Sequence, residues 1–428
     1  MLRAIKIRLY PTIKQKIELN KTLGSNRFVY NSCLSYKKEE YDNNENSINL
    51  QGLALHFNNL RDRLGYDFLK EQNTKVIRYT LMNLMTAYKN FFERPDVGFP
   101  KFKSKKNEER VTFPRQAVAK ESIDDGRLNL TKRIRQIKFK CSKRDKLYLN
   151  NNQEEIKSVT ITKTKSEKYF ASVLIDGDLV RLPKQPNRDF VGVDVGIKMF
   201  CVLSDGQIQE NPKWIRANEK QLKRLHKRVS RKQKGSNNRN KARKKLAIKH
   251  EKIKNKKDNF LHNLTNKIID ENQVIILESL SVKNMLKNHC LAKSIQELSL
   301  YEFRRQLEYK ANWYGRHIVF LDKWFPSSKT CSACGWYNKD LTLKYHTFVC
   351  EDCGLVIDRD LNASINVENE GRRLFFEQND TIGISSPDFT LVDSAMAGIN
   401  VSNINIANTI NGLTKSQKQK QEENLACK

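Results

Sequence analysis

Two sets of residues in this chain have the types and spacing to do chemistry. The more compact set is Cys331-Ser332-Ala333-Cys334 and Cys350-Glu351-Asp352-Cys353, two Cys-x-x-Cys pairs separated by fifteen residues and each followed by a glycine, Gly335 and Gly354. Four thiolates at this spacing make a tetrahedral zinc site, and the glycines permit the tight turn behind each pair. A redox dithiol and an empty remnant compete with that reading, but a redox site normally presents a single pair. Cys331, Cys334, Cys350 and Cys353 complete the coordination sphere without water, so the expected zinc is structural.

The second set is three acids far apart in the chain. Asp194 lies inside the apolar run Phe190-Val191-Gly192-Val193-Asp194-Val195, Glu278 ends the run Val274-Ile275-Ile276-Leu277, and Asp360 opens a helix in Asp358-Arg359-Asp360-Leu361-Asn362-Ala363. Each has an ordinary explanation alone: a buried partner of a lysine, a strand-end carboxylate, a helix N-cap. Together they suit a phosphodiesterase that uses two magnesium or manganese ions, because clustered carboxylates raise one another's pKa unless cations bridge them. In such chemistry one ion activates water and the other stabilises the leaving 3′ oxygen, roughly 4 Å away. Asp358 rivals Asp360 for the third position. The seven histidines never form His-x-His, which argues against histidine-paired transposases, and there is no Walker-type phosphate loop.

These residues need a scaffold and a charged partner. The 428 residues are enough for two or three domains with cores of their own at 38% hydrophobic content. The excess of 79 Lys and Arg over 48 Asp and Glu leaves a formal charge of +31, which calls for a polyanion. A ribosome-type structural protein would share the charge but needs no carboxylate cluster. No run of eighteen apolar residues exists, so no membrane partner is expected, and the basic alternating start Met1 to Arg8 is not a signal peptide. Cys33, Cys141, Cys201, Cys290 and Cys427 are scattered singly, which fits a reducing, cytoplasmic and nucleoid-associated setting.

Alternation predicts a strand over Leu2–Tyr10, and Pro11-Thr12 opens a helical stretch interrupted near Gly24. Lys37 to Asn46 reads as a polar linker and Asp67 to Phe92 as an amphipathic helix. From Gly98 the texture is β, with runs at Val111–Phe113, Gln136–Lys140, Val159–Lys163 and Tyr169–Ile175 behind a basic loop containing Lys101 and Lys103. Leu182 to Pro186 reads as a linker. A mixed α/β domain then follows, with Asp194 on the first strand of a meander that turns at Ser204-Asp205-Gly206. Trp214 to Asp270 is a basic helical hairpin broken at Gly235, and its Arg224, Arg228, Arg231, Lys232, Arg239 and Arg243 are expected to track phosphates. Ser294 and Glu297 have capping-box spacing for a helix ending at Gly315, and His317–Leu321 reads as another strand.

The sequence resembles the TnpB (OrfB) proteins of insertion sequences, relatives of the type V CRISPR effectors. The resemblance runs through Arg8-Leu9-Tyr10-Pro11, Arg27-Phe28-Val29-Tyr30-Asn31, Gly192-Val193-Asp194-Val195-Gly196, Lys234-Gly235-Ser236, Ile276-Leu277-Glu278, Leu307-Glu308-Tyr309-Lys310-Ala311, the first cysteine pair and Asp358 to Ala363, in order over roughly residues 1 to 368. It implies an α+β multidomain protein. An N-terminal wedge β-barrel (1–10 and 98–182) would carry an inserted helical recognition domain (11–97). An RNase H-like (RuvC) nuclease (187–326 and 355–370) would hold a zinc-binding insertion (327–354), followed by a flexible tail (371–428). It further implies a guide RNA from the transposon end, a double-stranded DNA target beside a short adjacent motif, and cutting by one site in which Asp194, Glu278 and Asp360 hold the magnesium ions. Arg8 and Arg27 fall in the matching N-terminal motifs and join the expected nucleic-acid contacts, and a monomer is expected. Ser279 and Ser364 depart from common family residues without removing a metal ligand. A nuclease-inactive RNA-guided regulator would need a broken acidic triad, and a DDE-like transposase would join DNA ends as well as cut them.

Overall fold

The computed structural model describes residues 2–124, 126–177, 185–342 and 345–380. It divides into two units, one built from the described residues up to Arg181 with Asn218–Lys254, the other from Leu182–Ala217 with the described residues from Asn255 onward. Residues 182–184 of the expected linker and 381–428 of the expected tail lie outside the described residues.

In the first unit β1 (Leu2–Tyr10) turns Ile5, Ile7 and Leu9 into the core and Lys6 and Tyr10 outward, as period-two alternation dictates. Pro11 ends the strand, and Thr12 caps α1 (Ile13–Asn44) in a reciprocal capping box with Gln15. α2 (Leu50–Arg61) and α3 (Thr74–Glu93) pack on α1 around Val29, Leu34, Leu53, Phe57, Leu81 and Leu84. The chain then supplies β2 (Glu109–Pro114), β3 (Ile123–Asp124), β4 (Arg127–Leu128), β5 (Ile137–Lys140), α4 (Lys143–Asn151), β6 (Ile156–Lys163) and β7 (Tyr169–Asp176). Together with β1 the strands form one antiparallel sheet in the order β2-β6-β7-β1-β5-β4-β3.

Three local expectations are corrected here. α1 is not interrupted at Gly24, because Leu19 and Leu23 before it and Val29 and Leu34 after it are buried. That burial outweighs the roughly 1 kcal/mol a helical glycine costs. Lys37 to Asn44 is not a linker either: it is the last part of α1, with Lys37 buried and its Nζ donating to the Ile48 carbonyl. The expected helix from Asp67 is split into a short 3-10 turn, Asp67–Leu69, and α3, which Asn73 caps.

The second unit begins with β8 (Arg188–Val195), β9 (Met199–Leu203), β10 (Ile208–Glu210) and the short α5 (Trp214–Ala217). A basic pair follows, α6 (Glu219–Ser230) and α7 (Asn237–Glu271), with α6 and α7 up to Lys254 grouped with the first unit and the rest of α7 with the second. Then come β11 (Asn272–Glu278), α8 (Val282–Met285), α9 (His289–Leu298), α10 (Leu300–Tyr314), β12 (His317–Leu321), β13 (Thr347–Val349), β14 (Val356–Asp358) and α11 (Arg359–Asp380). The five-stranded sheet runs β10-β9-β8-β11-β12, antiparallel among its first three strands and parallel across β8, β11 and β12. Residues 371–380, expected from the sequence to belong to the tail, continue α11.

The parallel strands are covered on both sides, which explains their unbroken apolar runs. Val191, Val193, Ile275 and Leu277 face Leu261, Leu264, Phe303 and Leu307. Phe190, Val274, Ile276 and Leu321 face Val367 and Phe375 of α11. Ser294 and Glu297 do not start a helix: both lie within α9, and Ser299 in the left-handed region separates α9 from α10. The buried Glu297 instead accepts from the amides of Ile215 (2.7 Å) and Arg216 (3.2 Å), fixing α5.

Candidate active site and metal centre

Sheet register explains how the distant acids meet. Val193 pairs with Leu277, so Asp194 and Glu278 follow side by side at the ends of parallel neighbours β8 and β11. Side chains alternate along a strand, so Asp194 shares the face of Phe190 and Gly192, and Glu278 that of Val274 and Ile276, the face covered by α11. Gly192 is what lets the helix come close: a Cβ there would lie 2.1 Å from the Ser364 carbonyl oxygen and 2.6 Å from the Glu368 amide nitrogen. Asp360 sits one helical turn before Ser364, so the close approach carries it toward Asp194.

The electrostatics report the same convergence. Burial, then the charges of Glu278 and Asp360, push Asp194 up to about 7, against the opposing pull of Arg359 and the Val195 amide. Glu278 is also raised by burial, tempered by the Ser327 hydroxyl, which donates to its Oε1 at 2.6 Å. Asp360 Oδ1 accepts from Arg359 Nη2 at 2.8 Å. Asp358, the rival, is occupied elsewhere: its Oδ1 caps α11 by accepting from the amides of Asp360 (3.0 Å) and Leu361 (3.1 Å). The oxygens of the three acids do not all lie within 4.8 Å of one another, whereas the cysteine sulfurs do. Ligands of one ion must be that close, but a pair of ions roughly 4 Å apart accommodates a wider spread. Hard oxygen donors, with Asp194 and Glu278 both raised, fit divalent cations.

The four cysteines form a closed set. Cys331 and Cys353 sulfurs are 3.6 Å apart and those of Cys334 and Cys350 3.5 Å. A tetrahedral ion with bonds of about 2.3 Å spaces its sulfurs about 3.8 Å apart, so the group can hold a metal, and the separations exceed the roughly 2.05 Å of a disulfide. The two knuckles are built alike. The Gly335 and Gly354 amides donate to the Cys331 and Cys350 carbonyls at 3.0 and 3.1 Å, with both glycines at positive φ. β13 and β14 hold the second knuckle around the buried Phe348.

Two asparagines that the sequence analysis did not single out tie this centre to the acids. Asn362 and Asn366 are buried one turn apart on α11. Asn362 donates to the Thr330 carbonyl (2.7 Å) and accepts from the Ser332 amide (2.9 Å); Asn366 donates to the carbonyls of Ser327 (2.7 Å) and Thr330 (2.6 Å). The helix carrying Asp360 therefore grips the loop whose Ser327 holds Glu278. Asparagines at i, i+4 beside buried apolar positions are the signal that could have marked them, and it is a weak one.

The expected nucleic-acid residues fall into different circumstances. Arg224, Arg228, Arg231 and Arg243 are exposed on α6 and α7 with no acidic partner among the described residues. Lys232 is half-buried, and Arg239 is used structurally, its Nη1 donating to the Lys232 carbonyl at 2.7 Å across the turn. Arg8 lies over the Phe170 ring at 4.9 Å, Arg27 is paired with Glu109, Lys103 Nζ stands 3.6 Å from the Tyr30 ring centre, and Lys101 is exposed.

Three family models match: "Probable transposase" of the OrfB type over residues 158–289, the "Cas12f1-like, TNB domain" over 301–367, and an OrfB "Helix-turn-helix domain" over 1–46, although here residues 2–44 form a strand and one continuous helix. A Streptomyces pristinaespiralis protein named "Putative RNA-guided DNA endonuclease" is 35% identical over 366 residues, 85% of this chain and 88% of that one. An Escherichia coli K12 protein, "Putative RNA-guided DNA endonuclease InsQ", is 28% identical over 86% of this chain and 91% of its own length. Among solved structures, a Cas12f1 complex with guide RNA and target DNA has a TM-score of 0.53 at 14% identity, over 86% of this chain and 98% of that one. The mini endonuclease Cas-phi3 has 0.52 at 10% identity, over 86% and 92%. These two show a shared α+β fold. With the relatives' identity and coverage, this chain belongs to the TnpB (OrfB) family of RNA-guided DNA endonucleases.

Proposed function

We propose that this chain is a transposon-encoded, RNA-guided DNA endonuclease whose cutting centre is Asp194, Glu278 and Asp360. The convergence of three carboxylates from β8, β11 and the start of α11 on one face of the sheet carries this reading. A sheet of three antiparallel and three parallel strands sharing a central β8 is the arrangement of RNase H-like, RuvC-type nucleases, and we assign 187–326 and 355–370, continued by α11, to that domain. Residues 327–354 are the zinc insertion, 1–10 and 98–182 the wedge β-barrel, and 11–97 the helical recognition domain. Guide pairing selects the sequence while exposed cations such as Arg224, Arg228, Arg231 and Arg243 bind backbone, as in other RNA-guided effectors. The partners are a guide RNA and duplex DNA beside a short motif, engaged by a monomer.

Two magnesium or manganese ions held by Asp194, Glu278 and Asp360 would supply Lewis-acid activation of water and stabilisation of the leaving 3′ oxygen. The chain's own work is to hold those carboxylates in place. Ser327 orients Glu278, Arg359 balances the charge of Asp360, and Asp194, held up near 7, would lose its proton where a cation is bound. Cys331, Cys334, Cys350 and Cys353 would hold a structural zinc.

The test is to express the chain with its adjacent transposon sequence, isolate bound RNA, and assay cleavage of matched duplex DNA in magnesium and in EDTA. Cutting that requires magnesium and disappears in Asp194→Ala supports the assignment; equal cutting by Asp194→Ala ends it. End-joined products would favour a DDE-like transposase, and retained RNA with binding but no cutting would favour a regulator.

A further inference from the structure

At the carboxyl ends of β8, β11 and β12, on the side of the sheet away from α11, α10 leaves a cavity of about 440 Å³. That is within the range of small-ligand sites, and the carboxyl edge of parallel strands is where open α/β sheets bind ligands. Its walls are mostly carbon: Val195, Leu280, Val282 and Phe320 line it and are only half-buried. Glu278 forms part of the rim, so the cavity opens beside the proposed cutting centre. Two guanidinium groups are fixed at its edge. Arg304 lies 3.9 Å over the Phe320 ring and is braced by Glu308 at 2.8 Å, while Arg305 makes a two-point pair with Glu302 at 2.8 and 2.9 Å. Tyr301 is 71% exposed one turn from them.

An apolar cavity with guanidinium groups at its mouth matches a nucleotide: base faces against carbon and aromatic surface, phosphates against arginine. Arg304 gives only its Nε to Glu308, and its Nη groups have no hydrogen-bond acceptor among the described residues, so they can meet a phosphate, which a lipid tail or apolar peptide does not carry. We propose that this cavity is a nucleobase subsite, taking one unstacked base of the single-stranded DNA that passes Glu278, with Tyr301 stacking on it, the apolar walls enclosing it, and Arg304 and Arg305 meeting the flanking phosphates. This rests on the nuclease reading for the identity of the strand. It adds a reason for the strand to hold still at the acids: a base lodged on one side of β11 fixes the phosphate on the other.

The test separates the two ideas. Guide-loaded protein is mixed in EDTA with target DNA carrying 2-aminopurine at successive positions around the cut, and fluorescence is read without any need for cleavage. One position should be quenched in wild type and lose its quenching in Tyr301→Ala and in the pocket-filling Leu280→Trp. An abasic nucleoside there should weaken single-strand binding about tenfold in wild type and have little further effect in either variant. No position-specific quenching, or equal sensitivity of all three proteins to the abasic site, overturns the proposal even if magnesium-dependent cutting is intact. Position-independent loss accompanied by dissociation of a dimer assigns the cavity to a second copy and also overturns it. Quenching without cutting in magnesium keeps the subsite and sinks the nuclease reading.

Discussion

Replacing Gly192 by alanine would drive a methyl group into the backbone of α11, and the effect on cutting can be worked out from distances. The new Cβ would stand 2.1 Å from the Ser364 carbonyl oxygen, 2.6 Å from the Glu368 nitrogen and 3.0 Å from the Glu368 Cβ. Carbon and carbonyl oxygen settle at about 3.3 Å, so α11 or β8 must retreat by about 1.2 Å. No flexible side chain can absorb this, because the obstacle is helix backbone. Asp360 rides one turn earlier on the same helix, and a misplacement of about 1 Å in a reacting constellation costs roughly a hundredfold in rate. Overpacking also lowers stability by about 1–3 kcal/mol. Gly371→Ala is the matched control. Its Cβ would strike the Ile276 side chain at 2.3 Å, about three turns from Asp360, so stability should fall by a similar amount with little loss of rate. Single-turnover cleavage of guide-matched DNA and thermal melting read both effects. Wild-type rates in Gly192→Ala, or a larger rate loss in Gly371→Ala, would refute the claim that glycine at 192 sets the acid geometry.

Asp194→Asn should raise the melting temperature of the metal-free protein at pH 8. With the folded carboxyl held near 7 against 3.8, the folded state binds more protons between those values, so wild-type stability falls as pH rises through that window. The advantage of the variant should therefore vanish near pH 4, and magnesium should stabilise wild type more than the variant; an advantage independent of pH would contradict this. Cys350→Ser should release zinc, measured by elemental analysis, and slow cutting through the loop that carries Ser327; full zinc retention would count against four-sulfur ligation. Replacing Arg224, Arg228, Arg231 and Arg243 by glutamine should lower the slope of log affinity against log salt by about one for each phosphate left without its arginine, and an unchanged slope would remove these helices from the nucleic-acid surface.

Where burial and period agree, the sequence was readable. Leu2–Tyr10 is a strand at its expected bounds and the meander turns at Ser204-Asp205-Gly206 as expected, because alternation in the first and a Ser-Asp-Gly turn after an apolar run in the second leave little choice. The cysteine knuckles were legible because their chemistry is local. Asp194 stood out as a charge inside an apolar strand. What stayed hidden depended on tertiary packing. Gly24 reads as a break until its flanking leucines are buried, and Glu297 reads as a cap until Ile215 and Arg216 bring it their amides. The choice between Asp358 and Asp360 turns on which carboxylate caps α11, which spacing alone does not decide. Gly192 looked like part of a motif, with nothing in the sequence to say that a helix far along the chain lies against it.

The acids come from the opening strand of the second unit, a middle strand, and its last described helix. During synthesis, therefore, the carboxylate cluster cannot assemble until α11 has left the ribosome, by which time the strands and helices of the first unit and the basic hairpin have already emerged. A message truncated ahead of Asp360 therefore encodes the first unit and the basic helices but only two of the three acids.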